Sequence, residues 1–402
     1  MSEIDKLIAR VCPNGVEFKS LDELGATYNG LSGKAKADFS HGNARFIAYT
    51  NIYNNLGVDL RADNFVRVQA GENQNVLRRG DVLFTGSSET PDDVGMSSVV
   101  LEEPTEPIHL NSFCFGYRLN DPAVLLPGFS KYVFRSDVVR RAIAQSASGV
   151  TRYNISKGRF LKVRIPVPLI QVQREIVKVL DSFTELEAEL EAELEARGRQ
   201  YQYYRDALLT LAERPTASIV RWAALGEICE VTRGRVISRD YLRDHPGSYP
   251  VYSSQTDSAG VFGSIDTFDC DGESITWTTD GANAGSVFYH SHEKFSITNV
   301  CGLLRVLDPG QVSTKFLYYL LGRLAKQHVN EGMGNPKLMS NTISRIQVPL
   351  PSLVEQERIV TILDKFDALV NDLSIGLPAE LKGRRQQYEY YRDRLLTFRE
   401  AA

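Results

Sequence analysis

Between Ile165 and Leu211 the apolar positions fall in two columns seven residues apart: Ile176, Phe183, Leu190, Tyr204 and Leu211 in one, Leu180, Leu194, Tyr201 and Leu208 in the other. A period of seven predicts a long helix with a supercoiling seam and solvated remaining faces. Glu187 and Arg197 interrupt the columns. At roughly 1.5 Å per residue, its ~43 residues would span about 65 Å. The columns return near the C-terminus as Ile359, Phe366, Leu373 and Leu363, Val370, Leu377, and resume at Tyr391, Phe398 and Tyr388, Leu395 after four extra residues. An insertion of four locally unwinds a supercoil, and Gly376 and Pro378 inside it predict an interruption. The expected elements are a helix over 352–375, a break, and a helix over 379–399, with the two repeats packed antiparallel.

The spelling repeats as well as the pattern. Pro166, Pro168, Gln173, Ile176, Leu180, Asp181 and Phe183 match Pro349, Pro351, Gln356, Ile359, Leu363, Asp364 and Phe366, and YYRDxLLT recurs at Tyr203–Thr210 and Tyr390–Thr397. Upstream, VEFKSLDELGATYNG from Val16 aligns without gaps with VRWAALGEICEVTRG from Val220, and a short helix followed by a glycine turn is predicted in each. Between leader and long helix, each half has a body of short apolar runs separated by turn residues: ARFIAYTNI, NFVRVQA, GDVLFT, MSSVVLEE and FCFGYRL in the first, YPVYSSQ, ESITWTTD, SVFYH and FSITNVCGLLRV in the second. These read as strands, followed in each half by a helical stretch, FSKYVFRSDVVRRAIAQ or STKFLYYLLGRLAKQHV. The expected fold class is α+β: two strand-rich globular domains, 1–164 and 214–347, joined by two long antiparallel helices forming a coiled coil, 165–213 and 348–402.

At 402 residues and 43% hydrophobic content, the chain is long enough for two to three domains. Its polar N-terminus, and the want of any apolar run long enough for a membrane span, lead us to expect a cytoplasmic protein with no membrane partner. Cys12, Cys114, Cys229, Cys270 and Cys301 show no CxxC spacing, so reduced buried thiols are expected, with surface imidazoles and no metal site. The net charge of −4 is uneven: residues 181–197 carry seven acids and one base, leaving the rest of the chain at +2. That balance permits contact with phosphate outside the acidic helix face.

No GxxxxGK[ST] loop, GxGxxG turn or Asn-Pro-Pro-aromatic motif is present, which argues against a self-contained ATPase or methyltransferase. Asp81 or Glu293-Lys294 fits a nuclease pattern only by force. The loops do carry planar and polar side chains suited to base edges: Thr85, Ser87, Ser88, Arg152, Tyr153 and Asn154 in the first half, Ser253, Ser254, Gln255, Asp280, Asn283, Asn335 and Lys337 in the second. Lys34, Lys36, Arg233, Arg235 and Lys294 are candidates for phosphate contacts. Tyr49, Tyr153 and Tyr252 fit core or turn positions better than base-stacking platforms.

Taken together, the closing segments, the YYRDxLLT ends, and phrases such as RRGDVLFTGSSETPDDVG and ITWTTDGANAGSVF resemble the DNA specificity subunit of type I restriction-modification systems, over nearly the whole chain. The resemblance implies two target-recognition domains, each reading one half of a split asymmetric site on double-stranded DNA, with the helical repeats setting the gap. It also implies that the repeats dock two modification subunits, which methylate adenine, and that restriction and translocase subunits join a larger assembly. S-adenosylmethionine, ATP and magnesium would belong to those partners, and this chain would bind no cofactor or metal and have no catalytic residue. Asn154 and Ser156 fall opposite Lys337 and Met339, so DNA contacts should differ between halves. The alternative is a non-catalytic coiled-coil scaffold whose domains bind protein or glycan.

Overall fold

The computed structural model describes residues 6, 10, 13–210, 220–256, 260–332, 334–372 and 376–401. Leu211, Leu373 and Cys12 lie outside them. The chain forms two compact units, Met1–Leu190 with Leu381–Ala402, and Glu191–Glu380.

In the N-terminal unit a four-stranded antiparallel sheet runs in the order Gly25–Asn29, Cys114–Leu119, Val82–Thr85, Ser97–Val99. A second sheet orders Phe65–Val66, Ala44–Ile47 and Ile108–Leu110, the last pair parallel. The C-terminal unit repeats both: Cys229–Arg233, Cys301–Val306, Ser274–Thr278, Val287–His290, then Val261–Ile265, Tyr249–Tyr252, Ser296–Ile297 with the last pair again parallel. Sequence-divergent bodies therefore share one topology. Their cores are filled by different means. Phe84 stacks on Phe115 at 5.3 Å in the first. At the matching register Trp277 lies opposite Gly302, where a Cβ would come within 2.2 Å of the indole.

The expected short helix is present in each leader, but a strand rather than a glycine turn follows it. Each is a strand, one helical turn and a second strand: Glu17–Ser20, Leu21–Leu24, Gly25–Asn29, and Arg221–Ala224, Leu225–Ile228, Cys229–Arg233. The first strand pairs with the IPxP segment of the same half, Phe18 opposite Pro166 and Trp222 opposite Pro349. This strand pairing is invisible within a leader taken alone. ARFIAYTNI is likewise strand only to Ile47, with Tyr49–Asn54 helical.

The repeated motifs have a physical reason. Gln173 is fully buried: its Oε1 accepts from Leu126 N (2.9 Å), and its Nε2 donates to the carbonyls of Val124 (2.9 Å) and Pro168 (2.8 Å). Gln356 repeats this with Ser313 N (2.9 Å) and the carbonyls of Gln311 (3.0 Å) and Pro351 (2.9 Å). About two turns along, Asp181 accepts from Tyr132 Oη and Lys131 Nζ, each at 2.7 Å, as Asp364 does from Tyr319 Oη (2.5 Å) and Lys315 Nζ (2.8 Å). QxxI and LDxF thus fasten each body to the start of the helix that follows it.

The long helix is Ile170–Leu209 and contributes to both units. In the N-terminal unit Phe183 stacks on Tyr391 at 5.4 Å and Glu187 meets Arg385 at 2.6 Å, so the two helices run antiparallel. Leu395 and Leu396 pack there with Ile176, Leu180 and Tyr132. In the C-terminal unit Phe366 lies 5.5 Å from Tyr204 and 6.4 Å from Tyr201, while Leu209 packs with Ile359 and Leu363. The YYRDxLLT end of each repeat therefore seals the unit built on the other half. Along the seam Leu190, Leu194, Leu208, Val370 and Tyr388 are half-buried and Tyr204 is exposed.

The second repeat is broken, with helices Leu353–Asn371 and Leu377–Leu396 in place of the expected 352–375 and 379–399. Gly376 turns back onto the first helix, where a Cβ would lie 2.4 Å from the Ala368 carbonyl. Pro378 sits in the first turn of the second helix, where its missing N–H costs nothing.

Among the described residues no helix is long and apolar enough to cross a membrane. Cys114, Cys229, Cys270 and Cys301 are buried thiols. The histidines correct the expectation of surface imidazoles, since His109 and His290 are buried. His290 contacts Thr276 Oγ1 (2.9 Å) and Glu293 (3.1 Å), and burial, outweighing that carboxylate, lowers its pKa. Below the ordinary imidazole value of 6.5 the unfolded chain takes up a proton that folded His290 refuses. Stability of this unit is therefore present above that pH and lost as pH falls through it. Unfolding followed from pH 7.5 to 5 should show that loss, and His290→Asn should flatten it.

Candidate nucleic-acid interface

Two clusters of loop residues assemble at the ends of the central sheets. In the N-terminal unit Ser87 and Ser88 pair with Asn154 and Tyr153 in a small antiparallel sheet. Arg152 donates to Ser87 Oγ from Nε (3.2 Å) and Nη2 (2.9 Å), and its guanidinium stands 5.6 Å from the Phe113 ring centre. Tyr49 Oη donates to the Ser87 carbonyl at 3.1 Å, which makes it a support of this turn. Arg152 and Asn154 are exposed, and Ser88 and Tyr153 half-buried. Lys157, beside Phe115 at 5.4 Å and bonded to Asn29 Oδ1, adds a second cation, its pKa lowered by burial.

Two expected contact residues are instead internal. Thr85 is fully buried, and its Oγ1 accepts from Met96 N at 2.9 Å, closing the turn that carries the serines. Lys34 is held by Glu72 and by the Arg67 carbonyl at 2.6 Å, and that ammonium brings the Glu72 carboxyl down to about 2. Lys36 is exposed on the short turn Lys36–Phe39. The far side of the serine turn hangs on two half-buried arginines. Arg140 donates to the carbonyls of Asp92 (2.7 Å), Val94 (3.0 Å) and Gly95 (2.7 Å), and Arg135 to those of Ser97 (2.7 Å), Ile52 and Tyr53 (both 2.9 Å). Burial lowers both pKa values, that of Arg135 to about 10.

In the C-terminal unit the equivalent place is occupied by charge. Lys337 forms isolated bridges with Asp280 and Asn330. The Asp280 carboxylate accepts from Thr279 Oγ1 at 2.7 Å and stands 3.6 Å from Arg233 and 3.8 Å from Lys337 Nζ. Trp277 Nε1 donates to the Leu338 carbonyl at 2.9 Å, tying this turn to the sheet. Thr278 repeats the role of Thr85, accepting from Ser286 N at 3.1 Å. Asn283, exposed, donates to Thr256 Oγ1 at 3.2 Å, and Asn335 is exposed on the turn before Lys337. Ser253 accepts from Thr298 Oγ1 at 2.9 Å, Gln255 donates to the Val261 carbonyl, and Ser254 is half-buried beside them. Arg235 is paired with Asp269 at 2.9 Å, and Lys294 stands 4.7 Å from the Phe268 ring centre.

The forced nuclease candidates are spent on structure. Asp81 is buried against Arg118 (2.6 Å) and Tyr28 Oη (2.7 Å), and Glu293 accepts from Tyr252 Oη at 2.9 Å. Tyr252 is correspondingly a core aromatic. Among the described residues no three His, Cys, Asp or Glu side chains converge as metal ligands. The arrangement offers hydrogen-bond donors, acceptors and cations on rigid turns, which suits reading a polyanion with distinguishable edges. Sequence inspection passed over Phe113, Lys157, Asn29, Arg135 and Arg140; the sign available was that Asn29 and Arg233 end matching leaders.

Residues 13–196 and 220–383 match the family described as Type I restriction modification DNA specificity domain. The type I restriction enzyme MpnII specificity subunit of Mycoplasma pneumoniae is 42% identical over 206 residues, 50% of this chain and 62% of that one. A second M. pneumoniae protein, named for a type I specificity subunit, is 40% identical over 239 residues, 58% of this chain and 93% of that one. Among solved structures, a chain of a type I R-M system aligns with TM-score 0.66 at 19% identity, covering 96% of this chain and 98% of that one. The type I S subunit from M. genitalium aligns with TM-score 0.56 at 17% identity, covering 95% and 96%.

Proposed function

This chain belongs to the family of type I restriction-modification DNA specificity domains, and from that premise we propose that it reads a split, asymmetric site on double-stranded DNA with its two units and directs partner subunits to it. The observation that carries the reading is one topology and one glutamine clamp used twice beneath two chemically different turn clusters, Arg152–Tyr153–Asn154 with Ser87 and Ser88, and Arg233–Asp280–Lys337. Repetition supplies two readers, and divergence supplies two half-sites, so the site is non-palindromic.

Chemistry is assigned to the partners. Two modification subunits, one for each repeat, bring S-adenosylmethionine and methylate adenine, and restriction subunits with ATP and magnesium complete the assembly in the cytoplasm. This chain supplies the address and no catalytic group, in keeping with Asp81 and Glu293 being engaged internally.

With about five phosphate contacts, affinity for the site should fall roughly 500-fold between 50 and 200 mM salt. Salt-independent binding, or methyl transfer by the purified chain alone, would contradict the proposal. Arg152→Ala in the assembled complex should relax base discrimination in one half-site by roughly 5- to 150-fold and leave the other unchanged. Lys337→Ala should do the reverse. Both are read by competition with duplexes altered in one half-site at a time.

A further inference from the structure

Phe113 is 61% exposed, although its neighbours Cys114 and Phe115 are buried. It does not lie on a loose loop. Its N–H donates to Asn111 Oδ1 at 2.9 Å, its carbonyl accepts from Gly86 N at 2.9 Å, and Cys114 N donates to the Asn111 carbonyl at 3.0 Å. The two turns are in close contact here, since a Cβ on Gly86 would lie 2.6 Å from the Phe113 carbonyl oxygen. The ring is thus presented rigidly to solvent, with the Arg152 guanidinium 5.6 Å from its centre and Ser87 between the two turns. In the C-terminal unit the same backbone bond, Thr279 N to the Val300 carbonyl at 3.1 Å, puts Val300 at this place. The aromatic is therefore a property of one reader, not of the shared scaffold.

We propose that Phe113 is a specificity-determining residue that packs its ring against an opened base step in the half-site read by the N-terminal unit, with Arg152 holding an adjacent base edge or phosphate. An apolar ring fixed in water beside a cation has the makings of a stacking platform, because every base offers a π-face and its preorganised turn loses no freedom on binding. Rings used as wedges favour steps that unstack cheaply, so the contacted step should be pyrimidine–purine. The inference rests on the DNA-reading function proposed above.

The test uses the complex with its modification subunits and duplexes carrying the site read out from adenine methylation. 2-Aminopurine is placed singly along the first half-site, outside the methylated adenine. The wild type should give a several-fold fluorescence rise at one step, lost in Phe113→Ala and retained in Phe113→Tyr. Phe113→Ala should weaken binding roughly 5- to 100-fold on the intact site and not at all when the first half-site is scrambled. Unchanged fluorescence and affinity in Phe113→Ala, an equal loss on the scrambled duplex, or a defect in subunit assembly in its place would overturn the proposal. Failure of the wild type to bind the site at all would overturn the DNA-reading function itself. The exposed position lets Phe113→Ala fold, and melting of both variants checks it.

Discussion

Replacing Gln173 with leucine is expected to destabilise the N-terminal unit by about 3–9 kcal/mol, because it leaves Leu126 N and the carbonyls of Val124 and Pro168 without partners at about 1–3 kcal/mol each. Leucine has nearly the right volume, so the loss is in polar satisfaction rather than packing. Gln356→Leu should do the same to the C-terminal unit through Ser313, Gln311 and Pro351. Hydrogen exchange can separate the two: protection should fall around 124–126 in the first variant and around 311–313 in the second. Protection lost equally in both units would mean that the clamp is not local.

Trp277→Ala should cost the C-terminal unit about 3–5 kcal/mol, the range for emptying a buried aromatic site. The loss is compounded at two places. Gly302 has no side chain to refill the space, and the Leu338 carbonyl loses its donor beside Lys337. Trp277→Phe is the informative variant. It keeps most of the ring and removes the hydrogen bond, so calorimetry should register a smaller loss while discrimination in the second half-site falls as the Lys337 turn loosens. Unaltered discrimination would show that the turn is held by other means.

The long helices were legible because a seam repeated every seven residues survives in a single chain without alignment, and because the second copy restates the first. The antiparallel pairing of the helices follows from that pattern, the α+β class from the short apolar runs of the two bodies, and the family from the repeated motifs. Gly376 and Pro378 marked the break correctly and its edges less well, since proline is welcome in a first helical turn. The strands of the leaders were not legible because Phe18 and Trp222 face Pro166 and Pro349, partners more than a hundred residues away that no local window contains. Thr85 and Lys34 looked like contact residues by type, but a hydroxyl and an ammonium can close a turn or an ion pair as readily as meet a ligand. Leu190 and Leu194, read as seam core, are only half-buried. Phe113 was missed because its exposure is set by tertiary contacts with Asn111 and Gly86.

The most direct test of independent readers is to exchange residues 30–147 for the corresponding body of another specificity subunit and sequence the adenines methylated by the complex. A new sequence in one half-site and the original in the other is the expected result. A change in both half-sites, or in neither, would contradict it.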